Sequence, residues 1–73
     1  MNKDKIGTNA GIIWDLLNNK KRWHIDELCK ATGLSKKDTY IAIGWLARED
    51  KIEIKKSDDS EDDDYYLIIE YYF

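Results

Sequence analysis

HIDELCKATGLSKKDTYIAIGWLAREDKI, residues 24–52, decides how this chain is read. Asp26 and Glu27 stand where a helix begins, at the positive end of its dipole. Leu28 and Ala31 supply the apolar face of that helix. Gly33 provides the left-handed residue that ends it, because glycine has no Cβ to clash there. Leu34 fills the corner, and Ser35 is a strong N-cap for a following helix. Thr39, Ala42, Ile43 and Leu46 then recur at helical spacing and form one buried stripe.

Upstream, a first helix is expected from about Asp4 to Asn19. Its stripe is Ile6, Ala10, Ile13 and Leu17, widened by Ile12 and Leu16. Gly7 and Gly11 cost that helix about 1 kcal/mol each against alanine. Such glycines usually permit a close backbone approach. Trp14 stands off the stripe's centre, as a boundary residue or a contact. Lys20–Arg22 form a basic turn, residues 23–25 leave room for a short strand, and His24 falls at the N-cap of the second helix.

Downstream, the period changes from helical to alternating. Ile52 and Ile54 alternate with Glu53 and Lys55, as in a half-buried strand. Residues 57–64, SDDSEDDD, hold turn formers and no apolar side chain, which makes them a solvated loop. Residues 65–73, YYLIIEYYF, are the returning strand. Tyr65, Leu67 and Ile69 face the core in the register that keeps Glu70 outside, with Tyr66, Ile68 and Tyr72 on the outer face. Three helices and a C-terminal β-hairpin make an α+β winged helix-turn-helix, a single domain over residues 1–73, with the wing tip at about 57–64.

NAGIIWDLLN near the start, TGLS at the turn and IGWLAREDKI at the end of the third helix resemble the small stand-alone bacterial winged-helix proteins of unknown function. The resemblance extends over nearly residues 1–70. It implies the fold and carries no activity or ligand with it. Winged helices at large mostly bind DNA, an analogy at the level of fold.

Charge is unevenly placed along the chain. Residues 1–56 hold all 12 lysines and arginines and 8 acids, a net of +4, whereas residues 57–73 hold 7 acids and no base. A DNA reader of this fold inserts its third helix, so Ser35, Lys36, Lys37, Tyr40 and Arg48 are the candidate contacts, joined by Lys55 and Lys56 at the wing base. Mid-helix, however, Ile41 and Gly44 stand where an Arg, Asn or Gln would read a base edge. Six acids at the wing tip would also oppose phosphates within a screening length of about 10 Å. Double-stranded DNA is therefore the second expectation, with the tip held off the duplex.

The first expectation is a protein partner, most simply a homodimer. Ile41 and Trp45 share one exposed stripe of the third helix, and Tyr66, Ile68 and Tyr72 share the outer face of the last strand. So small a domain buries a modest core and often borrows stability from a second chain. An open strand edge and opposite charges at two ends suit antiparallel self-association.

Enzyme chemistry finds no support. One histidine and one cysteine build no metal centre, and Cys29 reads as a small half-buried side chain on the second helix. The acids of residues 57–64 lack the order of an EF-hand. No phosphate-binding loop, cofactor motif, catalytic residue or small-molecule substrate site is expected. With no apolar run near the roughly 20 residues of a membrane span and no leader pattern, a cytoplasmic location is expected.

Overall fold

Asn2 opens the first helix, its side chain accepting from the Lys5 backbone N–H at 2.8 Å. The computed structural model describes residues 2–19, 22–58 and 61–67. Helix α1 runs Lys3–Leu17 and buries Asn9, Ala10, Ile13 and Leu17. Ile12 does not widen the stripe as expected, since it is 44% exposed, while Leu16 packs against the core. Beyond α1, β1 (Trp23–His24) is shorter than the room the sequence leaves, because Ile25 already belongs to α2 (Ile25–Thr32).

Helix α2 buries Ile25 and Leu28, and Ala31, expected inward, is exposed. One turn separates Ile25 from Leu28, so the buried stripe sits nearer the helix start than the sequence reading put it. Gly33 ends α2 at φ 76°, its N–H donating to the Cys29 carbonyl at 2.8 Å. Ser35 caps α3 (Lys36–Arg48) by accepting from the Asp38 N–H at 3.1 Å. Thr39, Ala42, Ile43 and Leu46 are buried along α3, and Thr39 resolves its hydroxyl by donating to the Ser35 carbonyl at 2.8 Å. Past the C-cap Glu49 of α3 comes Asp50, a non-glycine residue at φ 58°, after which the Lys51 N–H donates to the Leu46 carbonyl at 3.0 Å. Aspartate tolerates that left-handed conformation better than most residues do.

Strands β2 (Ile52–Lys56) and β3 (Asp63–Leu67) form the wing, and β1 adds to the free side of β3, giving the antiparallel order β1-β3-β2. Register pairs Ile52 with Leu67 and Ile54 with Tyr65. Ile52 is buried, but Ile54, expected half-buried, is 44% exposed. It lies one pleat further out on the edge strand, beyond the helices. The tip loop is also shorter than residues 57–64, because Asp63 and Asp64 already pair in β3 and Ser57 is buried, its N–H bonded to the Asp62 carbonyl. Tyr65 is buried and Leu67 packs against the core, as the register predicts. Ile68, Ile69, Glu70 and Tyr72 lie outside the described residues.

The core gathers Ala10, Ile13 and Leu17 of α1, Ile25 and Leu28 of α2, Ala42, Ile43 and Leu46 of α3, and Trp23, Ile52 and Tyr65 of the sheet. Every element donates to it, so helices and wing hold one another at fixed angles.

Candidate interaction surface

Helix α3 buries one stripe and leaves the opposite face to solvent. On that face Ser35, Lys36, Lys37, Tyr40 and Gly44 are exposed and Ile41 is half-buried. The Ser35 side chain is engaged as a helix cap. Lys36 Nζ lies 3.7 Å from Asp26, with both partners largely exposed, an arrangement worth at most about 1 kcal/mol. Arg48 lies 3.6 Å from Glu49, in the last turn, about 18 Å along the helix axis from Lys36 at 1.5 Å rise per residue. Lys55 and Lys56 are exposed on the edge strand, opposite Asp64 and Asp63 in the ladder. Each candidate phosphate contact at the wing base thus has an acid across from it.

The acids are not alike. Asp58, Glu61 and Asp62 are exposed, but Asp64 is buried, its side chain 7% exposed. His24 Nδ1 lies 2.8 Å from Asp64 Oδ1, and Arg22 lies 3.7 Å from Oδ2. His24 occupies the N-cap position of α2, and Glu27 closes that helix start by accepting from the His24 backbone N–H at 2.9 Å. The imidazole itself turns to the wing. It ties the start of the helix-turn-helix to β3, a link no local pattern reveals. Nearby, the Tyr65 phenol is pushed up to about 12, first by burial, then by the neighbouring Tyr40 phenol and the Asp63 and Asp62 carboxylates. Tyr40 therefore stands beside the wing, in the field of its acids.

Trp45 is 41% exposed. It lines a groove of about 170 Å³ between α1 and α3, together with Gly7, Ala10, Gly11, Trp14, Leu46, Glu49 and Lys51. The Lys51 ammonium lies 4.8 Å from the centre of the Trp14 ring, a cation–π contact at the groove's rim. Gly7 and Gly11 meet nothing: no heavy atom beyond their own helix turn lies within 4 Å of where a Cβ would stand. The close approach that their spacing suggested is not made within the chain. Ile41 sits one turn before Trp45, and Tyr66 is half-buried on β3 opposite Glu53. Neither lines the groove. Ile68 and Tyr72, which complete the expected surface, lie outside the described residues. The α1 wall of the groove is what sequence reasoning missed, although Gly7 and Gly11 one turn apart were its visible sign.

Among the described residues, no group of three or more His, Cys, Asp or Glu is placed to hold a metal ion. No described helix is long and apolar enough to cross a membrane.

Known proteins share this architecture. A protein from the archaeon Methanocaldococcus jannaschii, uncharacterized protein MJ1608, is 43% identical over 56 residues, which is 74% of this chain and 80% of that protein. The solution NMR structure of protein BT2368 from Bacteroides thetaiotaomicron is 37% identical, with a TM-score of 0.80 over 92% of this chain and 79% of that one. The likeness thus extends beyond bacteria. The adhesin competence repressor AdcR of Streptococcus pyogenes superposes with a TM-score of 0.71 at 24% identity, over 84% of this chain and 45% of its own, a likeness of fold. The family model described as winged helix-turn-helix domain (DUF2582) matches residues 1–65. With its three helices, its wing and that match, the chain belongs to the winged helix-turn-helix family DUF2582.

Proposed function

We propose that this chain is a non-catalytic interaction module that pairs with a second copy of itself through the face where α3 meets α1. One observation carries the reading: Trp45 stays 41% exposed beside an open groove. A large aromatic half out of water next to bare glycine backbone is what an interface core looks like before its partner arrives. Tryptophan offers a large area at low entropic cost, and glycine lets a partner's side chain lie directly on helix backbone.

The test is mass in solution. The wild-type chain is expected to be dimeric at micromolar concentration, and Trp45→Ser is expected to be monomeric with its helical signal retained. A wild-type chain that stays monomeric at high micromolar concentration overturns the proposal.

A second reading, DNA binding through α3, is favoured by the exposed Ser35, Lys36, Lys37 and Tyr40 on its first two turns. It is opposed by the acids across from Lys55 and Lys56 and by those at the tip. If DNA is bound, replacing Lys36 and Lys37 with Glu weakens it steeply and lowers the salt slope by roughly one unit per lost phosphate contact. Self-association would be indifferent to that change.

A further inference from the structure

We propose that β2 is a docking edge for the β2 strand of a second copy, paired antiparallel about Ile54. This goes beyond the α1–α3 reading and uses none of the residues that line that groove. Strand β2 stands at one end of the sheet order β1-β3-β2, so among the described residues nothing pairs with its outer side. Glu53, Ile54, Lys55 and Lys56 are all exposed. The Ser57 N–H bonds to the Asp62 carbonyl, one step past the ladder pair of Lys56 and Asp63. Backbone groups alternate in direction along a strand, so Glu53 and Lys55 turn theirs to β3. Ile52, Ile54 and Lys56 turn theirs to the open edge.

The register follows from symmetry and charge. Residues opposite each other in an antiparallel pair share a face, so a two-fold pair of identical strands must centre on one residue. Centred on Glu53, Lys55 or Lys56, it sets like charges against each other, which destabilises the pair. Centred on Ile52, it sets the rest of β2 against residues 48–51, which lie in α3 and the turn after it. Centred on Ile54, it pairs all 5 residues of β2. Glu53 of each copy then lies opposite Lys55 of the other, and the exposed Ile54 meets its own copy. Every backbone group on the open edge finds a partner. Within its own sheet Glu53 faces Tyr66, so the second copy supplies the cation its ladder lacks. Lysines on an edge usually discourage pairing, and here Glu53 answers them in one register. So short an edge buries less than a standard interface, which puts its pairing at about millimolar concentration, above the micromolar range of the α1–α3 dimer.

The full chain carrying Trp45→Ser isolates the edge from the α1–α3 face. At about 1 mM, isotope-filtered NMR on equal parts of labelled and unlabelled chains is expected to show a cross-peak between the Glu53 and Lys55 α-protons. Along one strand these protons stand about 7 Å apart, too far for such a cross-peak, so it arises only between chains. Glu53→Lys alone and Lys55→Glu alone should each abolish pairing. Mixing those two variants should restore it, because every cross-strand pair is then of opposite charge. In the wild-type chain at that concentration, two two-fold faces link copies into larger species, and either single reversal should return the mass to its micromolar value. No cross-peak, a cross-peak in another register, pairing that survives either reversal, or no recovery on mixing overturns the proposal. A wild-type chain that is monomeric at high micromolar concentration, with the cross-peak present at millimolar, overturns the α1–α3 reading alone.

Discussion

The two ends of this molecule treat exposed side chains in opposite ways. At the α1–α3 face, Trp45 and Gly11 stand open to solvent beside a half-buried Gly7. At the wing, ionised groups stand open, and Asp64, the one buried carboxylate among the described residues, lies beside His24 and Arg22. An apolar group in water loses little beyond hydrophobic stabilisation, so it can wait for a partner. A carboxylate taken out of water without a partner costs several kcal/mol, so its partner must be built in. The helical face is therefore unfinished as it stands, and the wing is closed upon itself.

The largest effect is expected at Leu46, where the groove meets the core. Leu46 is buried on α3 and also lines the groove. Leu46→Ala is expected to cost about 2–5 kcal/mol, a large part of the stability of so small a domain. Thermal unfolding measures it, and an unchanged melting temperature would contradict the packing described.

The wing offers the next largest effect, as a pH dependence. Tyr65 ionises at about 12 in the folded chain against an ordinary value of 10.0. The unfolded chain thus gives up that proton first as pH rises. The contribution is whole below pH 10, and it is lost between 10 and 12, about 2–3 kcal/mol on the linkage scale. Chemical denaturation across that window should show the decline, and Tyr65→Phe should flatten it.

The smallest effect sharpens the contrast. Gly7→Ala and Gly11→Ala put a methyl group into open space, so each should stabilise the folded monomer by about 1 kcal/mol through helix propensity. The same methyl groups narrow the groove. A rise in melting temperature with a weaker dimer is the expected pair of outcomes. A tighter dimer would mean that the glycine face is not where chains meet.

Much of the fold was written locally. Ser35 as a cap, Gly33 as a left-handed terminator and the stripe Thr39, Ala42, Ile43 and Leu46 depend on neighbours within a turn or two, and they stand where the spacing put them. The switch to alternation at Ile52 marked β2 for the same reason. The charge asymmetry was equally visible, being a matter of composition. Burial at the margins was not. Ala31 and Ile54 look inward by period, yet whether a neighbour covers them depends on where other elements end. Asn9 is buried on α1 with no acceptor for its side-chain N–H group, and nothing in its surroundings in sequence distinguishes it from a solvated asparagine.

The chain's sequence by itself determined the order and type of its elements, because capping, periodicity and turn chemistry act over a few residues. Only the tertiary structure decided which of its charges and aromatics are partnered. Asp64 belonged by sequence to an acidic tip, and it became a buried anchor because β3 brings it opposite His24, forty residues away in the chain. Trp45 belonged by sequence to an exposed helical stripe with Ile41, and it became one wall of a groove because α1 packs alongside α3. Pairing across such distances depends on how whole elements dock, and docking is settled by the sum of many weak contacts that no short stretch of sequence contains.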